Sequence, residues 1–213
     1  MNIIGSSAML IWGPGYMIGG EFSDAIAEML SAKLKISHKS CQIFVPDGEW
    51  KSYIENTFRE RLAEKRINLY RHNKRARSNG HEKSQYIVQI TDEWFKLDLP
   101  NTQQIKNELY SYFSVEDFLH SGFGLALVSD DEVCGFCIRT YSIDNECSMN
   151  VWVAEKHRGL GYAKMLTNRF LAHEANKNWN IFWSCSPDNI ASNKTARSCG
   201  FVLHSNINFY HIH

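Results

Sequence analysis

Proline is scarce, at four in 213 residues, and no apolar run approaches the roughly 20 residues a membrane-spanning helix needs. Charge of neither sign prevails. With 23 basic and 23 acidic side chains the formal net charge is zero, which argues against the basic footprint of a dedicated nucleic-acid binder. The start, Met1-Asn2-Ile3-Ile4, lacks the basic region of a secretory leader. The six cysteines are scattered, mostly inside apolar or strand-like stretches, the pattern of reduced, buried thiols. These absences lead us to expect a cytoplasmic protein with neither a membrane nor a nucleic acid as partner. No G-x-x-x-x-G-K-[ST] occurs, and no G-x-G-x-x-G, because Lys164 holds the place of the third glycine counted from Gly159 and Gly161. A second Cys or His pair at ligand spacing is missing too, so no metal is expected.

What is present suits a folded core: 44% of residues are hydrophobic and 22% charged. Nine histidines would make the chain cationic in mild acid. The first part reads as a small α/β unit. It has an apolar run from Met9 to Trp12, a turn at Gly13-Pro14-Gly15, and a helix from Asp24 to about Leu34 capped by Ser23. A strand follows at Cys41 to Val45. Trp50, Ile54, Phe58 and Leu62 recur every four residues, which predicts a helix capped by Asp47 and running to about Lys65. From Arg59 to Lys83 the chain turns basic; its polar stretch from Lys74 reads as a solvated loop or an anion contact. The domain boundary is placed between about Lys74 and Ser84, giving an N-terminal extension over 1–80 and a second domain over 81–213.

In the second part Tyr86 to Ile90 reads as a strand, Asp92-Glu93-Trp94 as the start of a short helix, and Ser114 as a helix start. Three strands at hairpin spacing follow, Phe123 to Ser129, Val133 to Tyr141 and Cys147 to Val153, turning at Asp130-Asp131 and Asp144-Asn145. Then come a helix from Gly159 to about Asn176, a strand at Ile181 to Cys185, a helix at Ala191 to Ser198 and a strand region from Phe201 to Ile212. The order predicts an α/β (α+β) fold: a mixed, mostly antiparallel sheet with helices on both faces.

The chain is organised around Val151 to Ala163. Val151-Trp152-Val153 ends a strand, and from Leu160 the period changes, with Leu160, Ala163, Leu166 and Phe170 on one helical stripe. The first backbone N–H groups of a helix have no partner within it, and the macrodipole adds partial positive charge there. Two glycines let a phosphate approach that backbone closely.

Arg158-x-x-Gly161-x-Ala163 after a strand resembles the acetyl-CoA pyrophosphate loop of the GNAT superfamily of N-acetyltransferases. Asn189, followed eleven residues later by Gly200-Phe201, resembles that superfamily's second cofactor motif. Phe113 to Leu119, Gly122, Trp183-x-Cys185, Asn189 and Ser192 are similar to the branch that includes zwittermicin-resistance-type enzymes. The resemblance implies a GNAT-like sheet whose strands ending at Val153 and near Cys185 splay around an acyl-pantetheine arm. It implies that Val151, Trp152 and Val153 pair with the arm. Arg158, Gly159, Leu160, Gly161, Tyr162 and Ala163 would then hold the pyrophosphate, and Asn189 and Ser192 would meet the arm from the other side.

The reaction so implied is acetyl transfer from acetyl-CoA, as co-substrate, to a primary amine, expected to be that of a small molecule. The tyrosine acid common in the superfamily is replaced by Ala196, leaving Ser192 and Ser186 as hydroxyl-bearing candidates. Glu146, sharing one strand parity with Ser148 and Asn150, is the candidate base; it also reads as a solvated hairpin residue. His157 is expected to face solvent, and Asp92 and Glu93 to cap a helix or meet a cationic substrate. A non-catalytic module holding acyl-CoA or another anion remains the alternative, and a homodimer is left open. Cys134-Gly135-Phe136-Cys137 could be a dithiol redox pair. Within a strand, however, its sulfurs should point to opposite faces.

Overall fold

A computed structural model describes residues 2–12, 15–36, 40–74, 87–97, 99–110 and 114–213. The described chain divides into two compact units, Met1–Ile67 with Asn206–His213, and Asn68–Ser205. The first unit contains strands β1 (Asn2–Ile4), β2 (Ser7–Trp12), β3 (Gly15–Gly20) and β4 (Cys41–Phe44), with helices α1 (Asp24–Ile36) and α2 (Glu49–Thr57). β1, β2 and β3 pair antiparallel in sequence, and β4 lies parallel to β3. Ile26, Leu30 and Leu34 of α1 and Trp50 and Ile54 of α2 are buried with Met9 and Ile43, so each helix turns one apolar stripe onto the sheet.

α2 stops at Thr57, short of the expected end. Phe58 is its C-cap, a single 3-10 turn covers Arg59–Arg61, and strand β5 (Leu62–His72) follows. The period-four stripe held only as far as Phe58. Beyond it, Ile67, Leu69 and Tyr70 suit a strand, and pairing through Asn68–Arg71 decides the matter. The basic residues Lys65, Arg66 and Arg71 are therefore exposed strand positions, Lys74 donates to Asn178, and the part of the basic segment from 75 to 83 lies outside the described residues. The expected boundary at 80/81 falls there as well; the two units part instead at 67/68 and 205/206. The last residues join the first unit because Tyr210, His211 and Ile212 pair with Ile43, Gln42 and Cys41.

The second unit holds β6 (Ile87–Gln89), α3 (Asp92–Phe95), α4 (Thr102–Tyr110), α5 (Val115–Ser121), β7 (Gly124–Ser129), β8 (Glu132–Ile143), β9 (Glu146–Val153), α6 (Tyr162–Glu174), β10 (Asn180–Cys185) and α7 (Ile190–Ser198). The last strand, β11 (Phe201–Ile212), begins in it. The strand order is β5-β10-β9-β8-β7-β6, with only β9 and β10 parallel to each other. Two cores cover its two faces. Leu166, Phe170 and Leu171 of α6 and Ala196 of α7 pack with Cys147, Met149, Ile181 and Trp183 on one face. Ile105 and Leu109 of α4 and Phe118 of α5 pack with Ala126, Phe136 and Ile138 on the other. Helix α4 went unread in the sequence, because its stripe (Thr102, Ile105, Leu109) is diluted by Gln103, Gln104, Lys106 and Asn107.

Candidate functional site

The parallel pairing of β9 with β10 is short. It joins Glu146 to Asn180, Cys147 to Ile181 and Ser148 to Phe182, and then stops. β10 goes on pairing with β5, through Trp183–Tyr70 and Cys185–Asn68. β9 goes on pairing with β8, through Asn150–Ile138, Val151–Cys137, Trp152–Phe136 and Val153–Gly135. The two strands thus part from Met149 onward, leaving a gap of four strand steps, about 13 Å, to Val153.

The parting has a local cause. On β8 the register shifts between Arg139 and Ser142, so that Thr140 and Tyr141 oppose the single residue Ser148. The Ser148 hydroxyl meets Thr140 Oγ1 at 2.6 Å and accepts from the Tyr141 N–H at 3.3 Å. A bulge raises local twist and bends the strand, and this one sits opposite the last residue that β9 shares with β10. Past it, the Ala154 N–H donates to the Cys134 carbonyl on β8. By strand alternation, the backbone groups of Val151 and Val153 turn the other way, into the gap.

At the open end stands the glycine-bearing turn. A 3-10 turn at Glu155–His157 leads to Arg158, Gly159 and Gly161, with φ of 82° and 81° at the two glycines. A side chain would strain both positions. Among the described residues, chain neighbours aside, no atom lies within 4 Å of where a Cβ would sit on either. The first backbone bond of α6 runs from the Met165 N–H to the Gly161 carbonyl, and no side chain caps the helix. The N–H groups of Tyr162, Ala163 and Lys164 therefore lack an acceptor within the helix, beside the exposed cations Arg158 and Lys164. Leu160, expected on the helical stripe, is exposed in the turn; the buried stripe begins at Leu166.

Glu132, at the start of β8, anchors this turn. Its carboxylate accepts from Lys156 Nζ at 2.7 Å and pairs with His157 Nε2 at 2.6 Å. Lys156, and then His157, hold the Glu132 carboxyl below the usual carboxylate range. His157 is accordingly mostly buried and bonded, not turned to solvent as expected. Glu132, Cys134 and His157 place their potential ligand atoms within 4.8 Å of one another. Both oxygens of Glu132 are engaged, one by Lys156 and one by His157, so the arrangement serves as a latch on the turn.

Across the gap, Asn189 caps α7, its Oδ1 accepting from the Ser192 N–H at 3.0 Å. The Ser192 hydroxyl accepts from the buried Trp183 indole of β10 at 3.0 Å, which leaves its own proton to donate. Ser186, just past β10, is exposed and accepts from the Asp188 N–H at 3.4 Å. Asn193, unread in the sequence, holds this side together. Its Nδ2 donates to the carbonyls of Ser186, Pro187 and Asn189. Its Oδ1 accepts from the Tyr70 hydroxyl at 2.6 Å and Asn68 Nδ2 at 2.8 Å. The only sequence signal was a polar residue one helical turn after the capping Asn189. Ala196 is fully buried, so the place of the common tyrosine is core.

On the face away from α6, Asn150 donates to the carboxylate of Glu108 on α4, and Trp152 stacks on Phe136 with centroids 5.4 Å apart. Glu146 is exposed and stands at the closed end, about 10 Å along the strand from Met149. The boundary helix is capped by Thr91, which accepts from the Trp94 N–H; Asp92 pairs with Lys96 on the surface. The C-x-x-C thiols belong to one core cluster, not to opposite faces. A register shift between Leu127 and Val128 of β7 makes Cys134 the unpaired residue of a bulge, which breaks the alternation. All six cysteines are free and buried. Burial pushes the Cys134 and Cys137 thiols up, and that of Cys147 to about 12, which makes them poor nucleophiles.

The GNAT acetyltransferase family model matches residues 4–210. An uncharacterised N-acetyltransferase of Bacillus subtilis (strain 168), YdfB, is 23% identical over 203 residues, covering 92% of this chain and 77% of that protein. The crystal structure of a GCN5-related N-acetyltransferase-like protein from Streptococcus suis superposes with a TM-score of 0.74 at 17% identity, covering 98% of this chain and 84% of that one. A putative GNAT acetyltransferase from Novosphingobium aromaticivorans gives 0.65 at 11% identity, covering 98% and 88%. Both share the mixed, mostly antiparallel fold. The chain belongs to the GNAT acetyltransferase family, whose reaction is acyl transfer from acyl-CoA.

Proposed function

We propose that this acetyltransferase uses acetyl-CoA to acetylate a primary amine of a small molecule, in the manner of the zwittermicin-resistance-type branch its motifs resemble. The observation that carries the reading is the gap between β9 and β10, which opens at Met149 and ends at the uncapped N-terminus of α6. Free N–H groups, a positive helix end and two side-chain-free positions suit a pyrophosphate from Arg158 to Ala163. Val151, Trp152 and Val153 would pair with the pantetheine arm, Val151 and Val153 through their backbone groups. Asn189 and Ser192 would flank the arm from α7.

In the transfer, the amine nitrogen attacks the thioester carbonyl. A C–N bond forms, the C–S bond breaks, the nitrogen gives up a proton and the thiolate takes one, leaving an amide and the CoA thiol. Each of the two hydroxyls accepts one N–H and keeps its own proton; Ser192 is the better candidate to supply it, since it is half-buried and held by the buried Trp183 indole while Ser186 is exposed. Most of the rate then comes from holding amine and thioester in line. Calorimetric titration tests the reading. Acetyl-CoA should bind the wild type with about 5 to 8 kcal/mol, and a folded Gly161→Glu variant should not bind it. Release of free thiol should depend on added amine; binding without amine-dependent release would mean a carrier module instead.

A further inference from the structure

We infer that Glu108 on α4 is the group that receives the acceptor, and that the acceptor is a cationic alkylamine bound by this carboxylate, its ammonium proton passing to solvent before the neutral nitrogen attacks. The inference rests on the proposed cofactor placement and specifies its acceptor side. An acyl-pantetheine arm anchored at the α6 turn and laid along β9 brings its acyl end to Met149 and Asn150, where β10 closes the gap. One face there is filled: Met149, Leu166, Phe170 and Ala196 are buried in the core under α6 and α7. The acceptor must come from the opposite face. On that face β10 offers the exposed Ser184, and β9 offers the side chains of Ser148, Asn150 and Trp152.

Ser148 is engaged with Thr140, and Trp152 with Phe136. Asn150 alone carries a carboxylate into place, donating its Nδ2 to Glu108. Glu108 is half-buried, in the last turn of α4 and beside Leu109, whose burial fixes that helix against the sheet. A half-buried carboxylate favours an ammonium group more strongly than one in open water. Glu146, the acidic residue singled out from sequence, lies on the same strand but at its closed end, where β10 still pairs.

The test uses the full chain with spermidine, tyramine and kanamycin as alkylammonium probes. Glu108→Gln keeps an oxygen to accept from Asn150 and removes the charge. Expected are an unchanged dissociation constant for acetyl-CoA, a KM for the amines raised about tenfold or more with kcat less affected, and partial recovery in Glu108→Asp. Glu28→Gln, which removes an exposed charge on α1, should leave the amine KM within about twofold. The inference is overturned if Glu108→Gln matches the wild type in amine KM. It is equally overturned if the wild type binds acetyl-CoA yet neither binds nor acetylates any of the three amines. Failure of the wild type to bind acetyl-CoA would remove the cofactor reading and this inference together.

Discussion

Asn193 allows a prediction in which two losses should partly cancel. Replacing it with leucine removes five hydrogen bonds. The carbonyls of Ser186, Pro187 and Asn189 lie in a turn at the surface and can turn to water. The Tyr70 hydroxyl cannot, because Tyr70 is fully buried. An orphaned buried hydroxyl costs about 1 to 3 kcal/mol, and the lost bonds add a net of roughly 1 more, so Asn193→Leu should cost about 3 kcal/mol. Tyr70→Phe alone should cost about 1 kcal/mol, since Asn68 still donates to Asn193. Simple addition then gives about 4 for the double variant. Removing both partners, however, removes the orphan, and the double variant should be no less stable than Asn193→Leu alone, a coupling of about 1 to 2 kcal/mol. Urea unfolding of the four proteins measures this cycle. Additive losses would show that Tyr70 and Asn193 do not share a buried bond, and that the turn at 186–189 is held some other way.

The remaining predictions concern the latch, a half-buried imidazole and the thiols. Glu132→Gln should weaken acetyl-CoA binding about tenfold by loosening Lys156 and His157, read by calorimetry; unchanged affinity would make the latch irrelevant to the cofactor. Because the Glu132 carboxyl is held low, the latch is intact above the ordinary carboxylate range and opens as pH falls through the lowered value, so cofactor affinity should drop on that acid limb. Burial, and then Lys74, push the His72 imidazole below its ordinary value. Its contribution to stability should be complete above about pH 6.5 and decline as pH falls from there, and His72→Phe should flatten that slope in thermal melts. At pH 8 the native protein should show no fast thiol towards a disulfide reagent, and all six after unfolding; a fast native thiol would revive the dithiol reading.

What the sequence made legible was what local pattern controls. Strand, glycine turn and helix from Val151 onward, the hairpin turns at Asp130-Asp131 and Asp144-Asn145, and the Ser114 cap each depend on residues within a few positions of one another. The stretch after Phe58 misled because a helical period ran into a strand whose pairing partners lie more than a hundred residues away. Cys134 misled because a bulge is a two-strand property, invisible in either strand alone. Glu108, Glu132 and Asn193 were missed for one reason. Each is an ordinary polar residue in its own segment, and gains a role only from Asn150, His157 and Tyr70, brought beside it by folding.

The parting of β9 from β10 also means that this protein carries a sheet edge in its own interior. Exposed edges are templates for unwanted pairing, and proteins usually cover them or place charge on them. Here the cover would be the co-substrate itself, a small molecule completing the sheet as an added strand does. A ligand that binds only the folded chain adds about 2.7 kcal/mol of stability at a hundred times its dissociation constant. The lifetime of the folded chain would then follow the supply of acyl-CoA, and a cell short of it would hold not merely an idle enzyme but a more aggregation-prone one.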